Sequence, residues 1–175
     1  MSTPAPTDYK IIDVIVRVLT AHMGLTSDQI WIYNQKRIIP NSSGLFIEVA
    51  FVGSRPFGSN VFCDDDEVGN FCEFQATNQQ ESYKIVLYSR DESAFTRSHE
   101  VLFALNSTAM QQACEQYQFH IGRLPTSFID TSAVEASARL FRQDLDFNAL
   151  RQYTKKTVID YFNQFNIPPE LHVNQ

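Results

Sequence analysis

The sequence predicts an α+β fold: one domain in which a mixed or antiparallel sheet carries helices mainly on one face. Three observations carry that prediction. Residues 9–23 repeat side chains at helical spacing, with Ile11, Ile12, Val14, Ile15, Val18, Leu19 and His22 along one stripe. Residues 44–52, 81–89 and 138–153 alternate with the two-residue period of strands. A chain of 175 residues with 43% hydrophobic content and 14 Phe holds enough apolar material for one core. The expected organisation is a flexible N-terminal arm over 1–7, the domain over 8–167, and a flexible tail over 168–175.

The first helix has clear ends. Thr7 is a candidate N-cap, Asp8 suits the first turn, and Gly24 can adopt the left-handed conformation that closes a helix. Thr26-Ser27-Asp28-Gln29 matches a capping box, with room for a single turn before residues 30–33 become strand-like. Pro40 and the Asn-Ser-Ser-Gly run make 34–43 a connector. In the strand that follows, Leu45, Ile47, Val49 and Phe51 share one face, while Phe46, Glu48, Ala50 and Val52 share the other. Residues 53–67, with Gly, Ser, Pro and an acidic run, read as a long exposed loop.

Residues 68–76 are a strand candidate with Phe71 and Phe74. In the clearer strand over 81–89, Tyr83, Ile85 and Leu87 oppose Lys84, Val86 and Tyr88. A second helix is expected over 92–106, with Ala94, Phe95, Ser98, Val101, Leu102 and Leu105 inward. Ser107 or Thr108 can cap a shorter helix through Gln116. Short strands are expected over 119–123 and 126–129. The last long strand, 138–153, sets Phe141, Leu145, Phe147 and Ala149 against a wet face of Arg142, Asp144, Asp146 and Asn148. Residues 157–165 fit either a helix or a strand.

Charge is unevenly placed. Between Pro56 and Tyr83 lie Asp64, Asp65, Asp66, Glu67, Glu73 and Glu81, with no Lys or Arg. The rest of the chain balances, so this segment carries the whole net charge of −6. Such a balance argues against a nucleic-acid-binding surface, which needs clustered Lys and Arg. No apolar run approaches a bilayer span, and the first residues have neither the basic nor the apolar region of a secretion signal. Cys63, Cys72 and Cys114 are odd in number and lack CxxC spacing, which favours reduced thiols.

The order of elements carries a resemblance. An amphipathic helix (9–23) leads into Ile30-Trp31-Ile32-Tyr33, then Asn34-Gln35-Lys36-Arg37, Pro40 and the strand 44–52. Strand 81–89, helix 92–106 and the long polar strand 138–153 follow. This arrangement resembles the small neck and tail-terminator (head-tail joining) proteins of tailed bacteriophages, over roughly residues 8–162. The resemblance implies a non-enzymatic virion protein without a cofactor, assembled in the host cytoplasm as a homo-hexameric ring. Such a ring ends the tail tube or joins the tail to the neck, contacting tail-tube, sheath or neck proteins while DNA passes through it. The alternative from another class is a cytosolic binding or adaptor domain; a small hydrolase comes third.

Two surfaces are candidates for assembly. Arg142, Asp144 and Asp146, with Arg151, Lys155 and Lys156 beyond them, offer both signs of charge, which can fix register between identical subunits. The bland alternative is a solvated strand face. The acidic run Asp64, Asp65, Asp66 and Glu67 suits a ring lumen that repels phosphates, a partner-facing loop, or plain solvation. A calcium loop starting at Asp64 would place Gly69 correctly, but Val68 and Gln75 fall where ligands are needed. Trp31 reads as core, Phe57 as buried under its loop, and Cys72 and Cys114 as small buried hydrophobes. His22, His99, His120 and His172 show no metal-binding spacing, and there is no phosphate-binding or nucleophile-elbow motif. A Cys/His pair meeting in space would revive the hydrolase reading.

Overall fold

The computed structural model describes residues 10–33, 42–65, 69–135 and 138–159. The Thr7 cap, residues 34–37, Pro40, Asp66, Glu67 and both expected flexible ends lie outside these. In chain order the elements are α1 (Ile11–Met23), β1 (Ile30–Ile32), β2 (Phe46–Asp65), β3 (Phe71–Ser89), α2 (Ser93–Thr96), α3 (Ser98–Leu105), α4 (Thr108–Tyr117), β4 (Phe119–Ile121), β5 (Ile129–Asp130), β6 (Ala133–Glu135) and β7 (Ala138–Val158). The fold is α+β, as the sequence predicts, with one mixed sheet.

Three long antiparallel strands, β2, β3 and β7, form the centre of the sheet, whose order is β1-β2-β3-β7-β4. β1 lies parallel on the outer edge of β2, with Ile30 opposite Ile47. The short strands β4, β5 and β6 all pair with β7. β3 and β7 run in unbroken register from Cys72 opposite Val158 to Ser89 opposite Phe141, so residues of equal parity share a face.

One face of the body is covered by helices. Ile15, Leu19 and Met23 of α1, Val101 and Leu105 of α3 and Met110 of α4 meet Ile47, Val49, Ile85, Leu87, Leu145 and Phe147 in one core. Ile15 and Leu19 are fully buried, so either truncated to Ala costs about 2–5 kcal/mol. α1 ends at Gly24, whose φ of 63° is left-handed and whose N–H bonds Thr20 O. His22, placed by periodicity on the apolar stripe, is exposed. The opposite face carries a smaller cluster of Trp31, Phe46, Val86, Tyr88 and Leu140, so Trp31 is core as expected.

Several boundaries differ from the sequence reading. The expected helix 92–106 is broken at Arg97. There the guanidinium bonds the Met23 carbonyl at 3.0 Å, one of the α1 carbonyls left open at a helix end, and pairs with Glu100 at 2.7 Å. Ser107 caps α4 by accepting from the Met110 N–H. Thr26 and Gln29 make the side-chain half of a capping box, Gln29 Oε1 accepting from the Thr26 N–H at 3.0 Å. The largest correction concerns 53–65, which is strand. The expected separate strands at 68–76 and 81–89 are likewise one, β3. Phe57, expected to be buried under a loop, is 57% exposed.

Candidate functional site

Beyond the helix-covered body, β2 (53–65), β3 (71–82) and β7 (148–158) continue as a three-stranded ribbon. At about 3.3 Å per residue it extends roughly 40 Å. No helix lies on it among the described residues, and most of its side chains on both faces are exposed or half-buried. Register shifts between Phe51 and Gly53 and between Pro56 and Gly58 mark two β-bulges. Pro56 fits because β2 is an edge strand here, where a missing N–H costs no ladder bond. The ribbon leaves Phe57, Val61, Phe62 and Val158 largely exposed, as are Phe51 and Val52 just before it.

The root of the ribbon is tied by a buried carboxylate. Glu81, 7% exposed, sits on the helix-side face of the central strand in line with Tyr83, Ile85 and Leu87. The Tyr83 hydroxyl donates to Glu81 Oε2, and the Tyr153 hydroxyl donates to Oε1 at 2.8 Å. Burial, reinforced by the Glu81 carboxylate, pushes both phenols above their ordinary pKa. Tyr83 stacks on Phe147 and meets Phe51 edge-on, and Arg151 lies 4.9 Å from the Tyr153 ring centre. Sequence reasoning missed this knot. A Glu at the parity of three core residues was the available signal.

Near the tip, Phe62, Phe74 and Lys156 form a row across all three strands. The Phe62 and Phe74 rings stack at 5.1 Å, and the Lys156 ammonium is 6.0 Å from the Phe74 ring centre. Asp64 and Asp65 end β2 and are exposed; Lys155 and Lys156 on β7 are exposed at nearby levels. Asp64 and Asp65 therefore share their ribbon with the basic end of β7. The described part of the run, Asp64 and Asp65, ends one edge of a two-signed structure.

The six residues proposed as one charged interface separate into two groups. Arg151, Lys155 and Lys156 belong to the ribbon. Arg142, Asp144 and Asp146 belong to the body, and Asp144 is not on a wet face: it is 3% exposed. Its carboxylate accepts from Arg142 at 2.9 and 3.1 Å, from Thr131 at 3.0 Å and from Lys84 at 3.4 Å. The neighbouring β5 strand and the aromatic cluster account for that burial, which a one-strand pattern does not reveal. Arg142 also lies over the Tyr88 ring, whose hydroxyl donates to Glu48 at 3.2 Å. Burial, then the Glu48 charge, pushes the Tyr88 phenol up to about 12, and burial raises the Glu48 carboxyl. Asp146 remains exposed, 3.6 Å from Lys84.

Among the described residues no group of three His, Cys, Asp or Glu is placed to hold a metal ion. Cys114 and His120 do line one groove, between α4 and the strand after it, with a volume of about 490 Å³. Burial pushes the Cys114 thiol up, the opposite of an activated thiolate. Cys72 is fully buried as expected, Cys114 is half-buried, and Cys63 is exposed on the ribbon. No protein-family model matches the chain, and no curated protein does.

Proposed function

We propose that the protein is a structural subunit of a tailed-phage particle, acting as an oligomeric ring that ends the tail tube or joins the tail to the neck. It works by surface complementarity, with no bond made or broken and no cofactor. One observation carries the reading: the ribbon is built at length, yet among the described residues nothing covers either face. A three-stranded antiparallel ribbon with exposed Phe57, Val61 and Phe62 gains little from its own core, and a long free sheet edge invites pairing. Such an element is stable and useful when neighbouring copies or tail proteins cover it. The body has its own apolar core and can carry the ribbon without help from it.

The test removes the ribbon and keeps the body. Ser54 and Glu81 are cross-strand partners, so an Asn-Gly turn joining them in place of residues 55–80, with the chain ended after Arg151 where β4 last pairs with β7, removes all three ribbon strands and keeps the core cluster, whose last β7 member is Ala149. The shortened chain is expected to fold, remain monomeric, and fail to co-sediment with tail tubes that the full chain binds. Retained assembly and tube binding would contradict the proposal.

A further inference from the structure

The geometry points to a specific seam between copies: the β2 edge of one ribbon pairs in parallel with the β7 edge of the next, so that the ribbons close into one continuous sheet. This rests on the ring reading and specifies how the ring is held.

Among the described residues both edges are open over the same stretch. β1 covers β2 only at Ile47, Glu48 and Val49, and β4 covers β7 no further than Arg151. Among the described residues no strand pairs with the outer side of 50–65 on β2 or of 152–158 on β7. The registers set Gly58 level with Gln152, through Asn78, and Asp64 level with Val158, through Cys72. The two open edges therefore occupy the same levels of the ribbon.

Direction follows from the topology. β2 and β7 are each antiparallel to β3, so both run from the body towards the tip. Copies related by rotation about an axis along the ribbon present β2 of one beside β7 of the next, pointing the same way. Each copy offers a different edge on each side, the heterologous arrangement that closes rings.

Charge selects this pairing. The β2 edge ends in Asp64 and Asp65, while the β7 edge carries Lys155 and Lys156. Asp64 and Lys156 point to one face of the sheet, Asp65 and Lys155 to the other. A stagger of about two residues, of the kind closed sheets require, sets Asp64 beside Lys156 and Asp65 diagonal to Lys155. A two-fold β7–β7 contact over the same residues would oppose lysines to lysines. With that stagger the Phe62–Phe74–Lys156 row of one copy runs on to Asp64, and behind it Cys72, of the next.

Two charge-reversed chains test the seam: D64K/D65K and K155E/K156E, examined by light scattering beside the wild type, with circular dichroism to confirm the fold. Each alone is expected to fall to monomer mass. An equimolar mixture of the two, and a chain carrying all four changes, are expected to regain the wild-type mass, because opposite charges again meet. If the wild type is a ring and K155E/K156E keeps its mass, the seam is overturned while the ring reading stands. If the wild type and the mixture are both monomeric, the ring reading fails and the seam with it.

Discussion

Tyr153 and Glu81 lie 72 positions apart, and the Tyr153 hydroxyl donates a 2.8 Å hydrogen bond to Glu81 Oε1 where the ribbon leaves the body. The bond ties β7 to β3 on the helix-side face, at the level where apolar packing gives way to exposed side chains. Glu81→Ala leaves two tyrosine hydroxyls without their carboxylate and is expected to cost about 1–3 kcal/mol. Tyr153→Phe, at a more exposed site, costs about 1 kcal/mol. Urea denaturation of both variants checks the order.

The phenols give stability a pH signature. Tyr83, Tyr88 and Tyr153 all have folded-state values raised above the ordinary 10.0. A raised phenol contributes stability that is fully present below the unfolded value and is lost as pH rises through the folded one, because the unfolded chain ionises first. Unfolding free energy is therefore expected to decline above about pH 10. Tyr88, pushed up to about 12, contributes its share of the loss between the two values. Tyr88→Phe flattens that part of the curve, which phenolate absorbance during alkaline titration follows directly.

Asp144 and the ribbon charges act in different ways. Removing the Asp144 carboxylate leaves Arg142, Lys84 and Thr131 around a buried vacancy. Asp144→Ala is expected to cost about 2–3 kcal/mol, below the range for a fully buried pair because both cations keep part of their surface in water. Its assembly at low temperature stays that of the wild type. Charge reversal at Lys155 and Lys156 does the opposite: it abolishes assembly and leaves the melting temperature at that of dilute, unassembled wild type, losing only what the ring contributes. Measuring both quantities on both variants separates the two roles.

Phe62 is 47% exposed and stacked on Phe74. If the ribbon is covered in the assembly, Phe62→Ser loses apolar contact there worth about 1–2 kcal/mol, roughly tenfold in association. Stability of the isolated chain changes by about 0.5 kcal/mol or less. Dilution series read by light scattering give the first quantity and thermal melts the second.

Much of the body was legible in the sequence. Helical spacing in 11–23 and alternation at 45–49, 83–89 and 138–153 read correctly because each element has one face against the helix-covered core. The ribbon was not legible for the converse reason. Between Gly53 and Asp65 both faces are wet, and two bulges, one just before Gly53 and one at Pro56–Gly58, reset the parity, so neither alternation nor an apolar run survives. Pro56 and two glycines then read as loop punctuation, whereas an edge strand tolerates them. Asp144 was misread because its burial comes from β5 and the aromatic cluster, neither visible in the strand's own pattern. The charged ends of β2 and β7 could each be seen, but only the shared ribbon shows them as two edges of one element.

The most direct measurement is the solution mass of the purified full-length chain by multi-angle light scattering, with negative-stain images of the same fraction. The account predicts a closed ring of about six copies, with ribbons gathered around the axis. A monomer that persists at the highest attainable concentration, with no ring in the images, would contradict it.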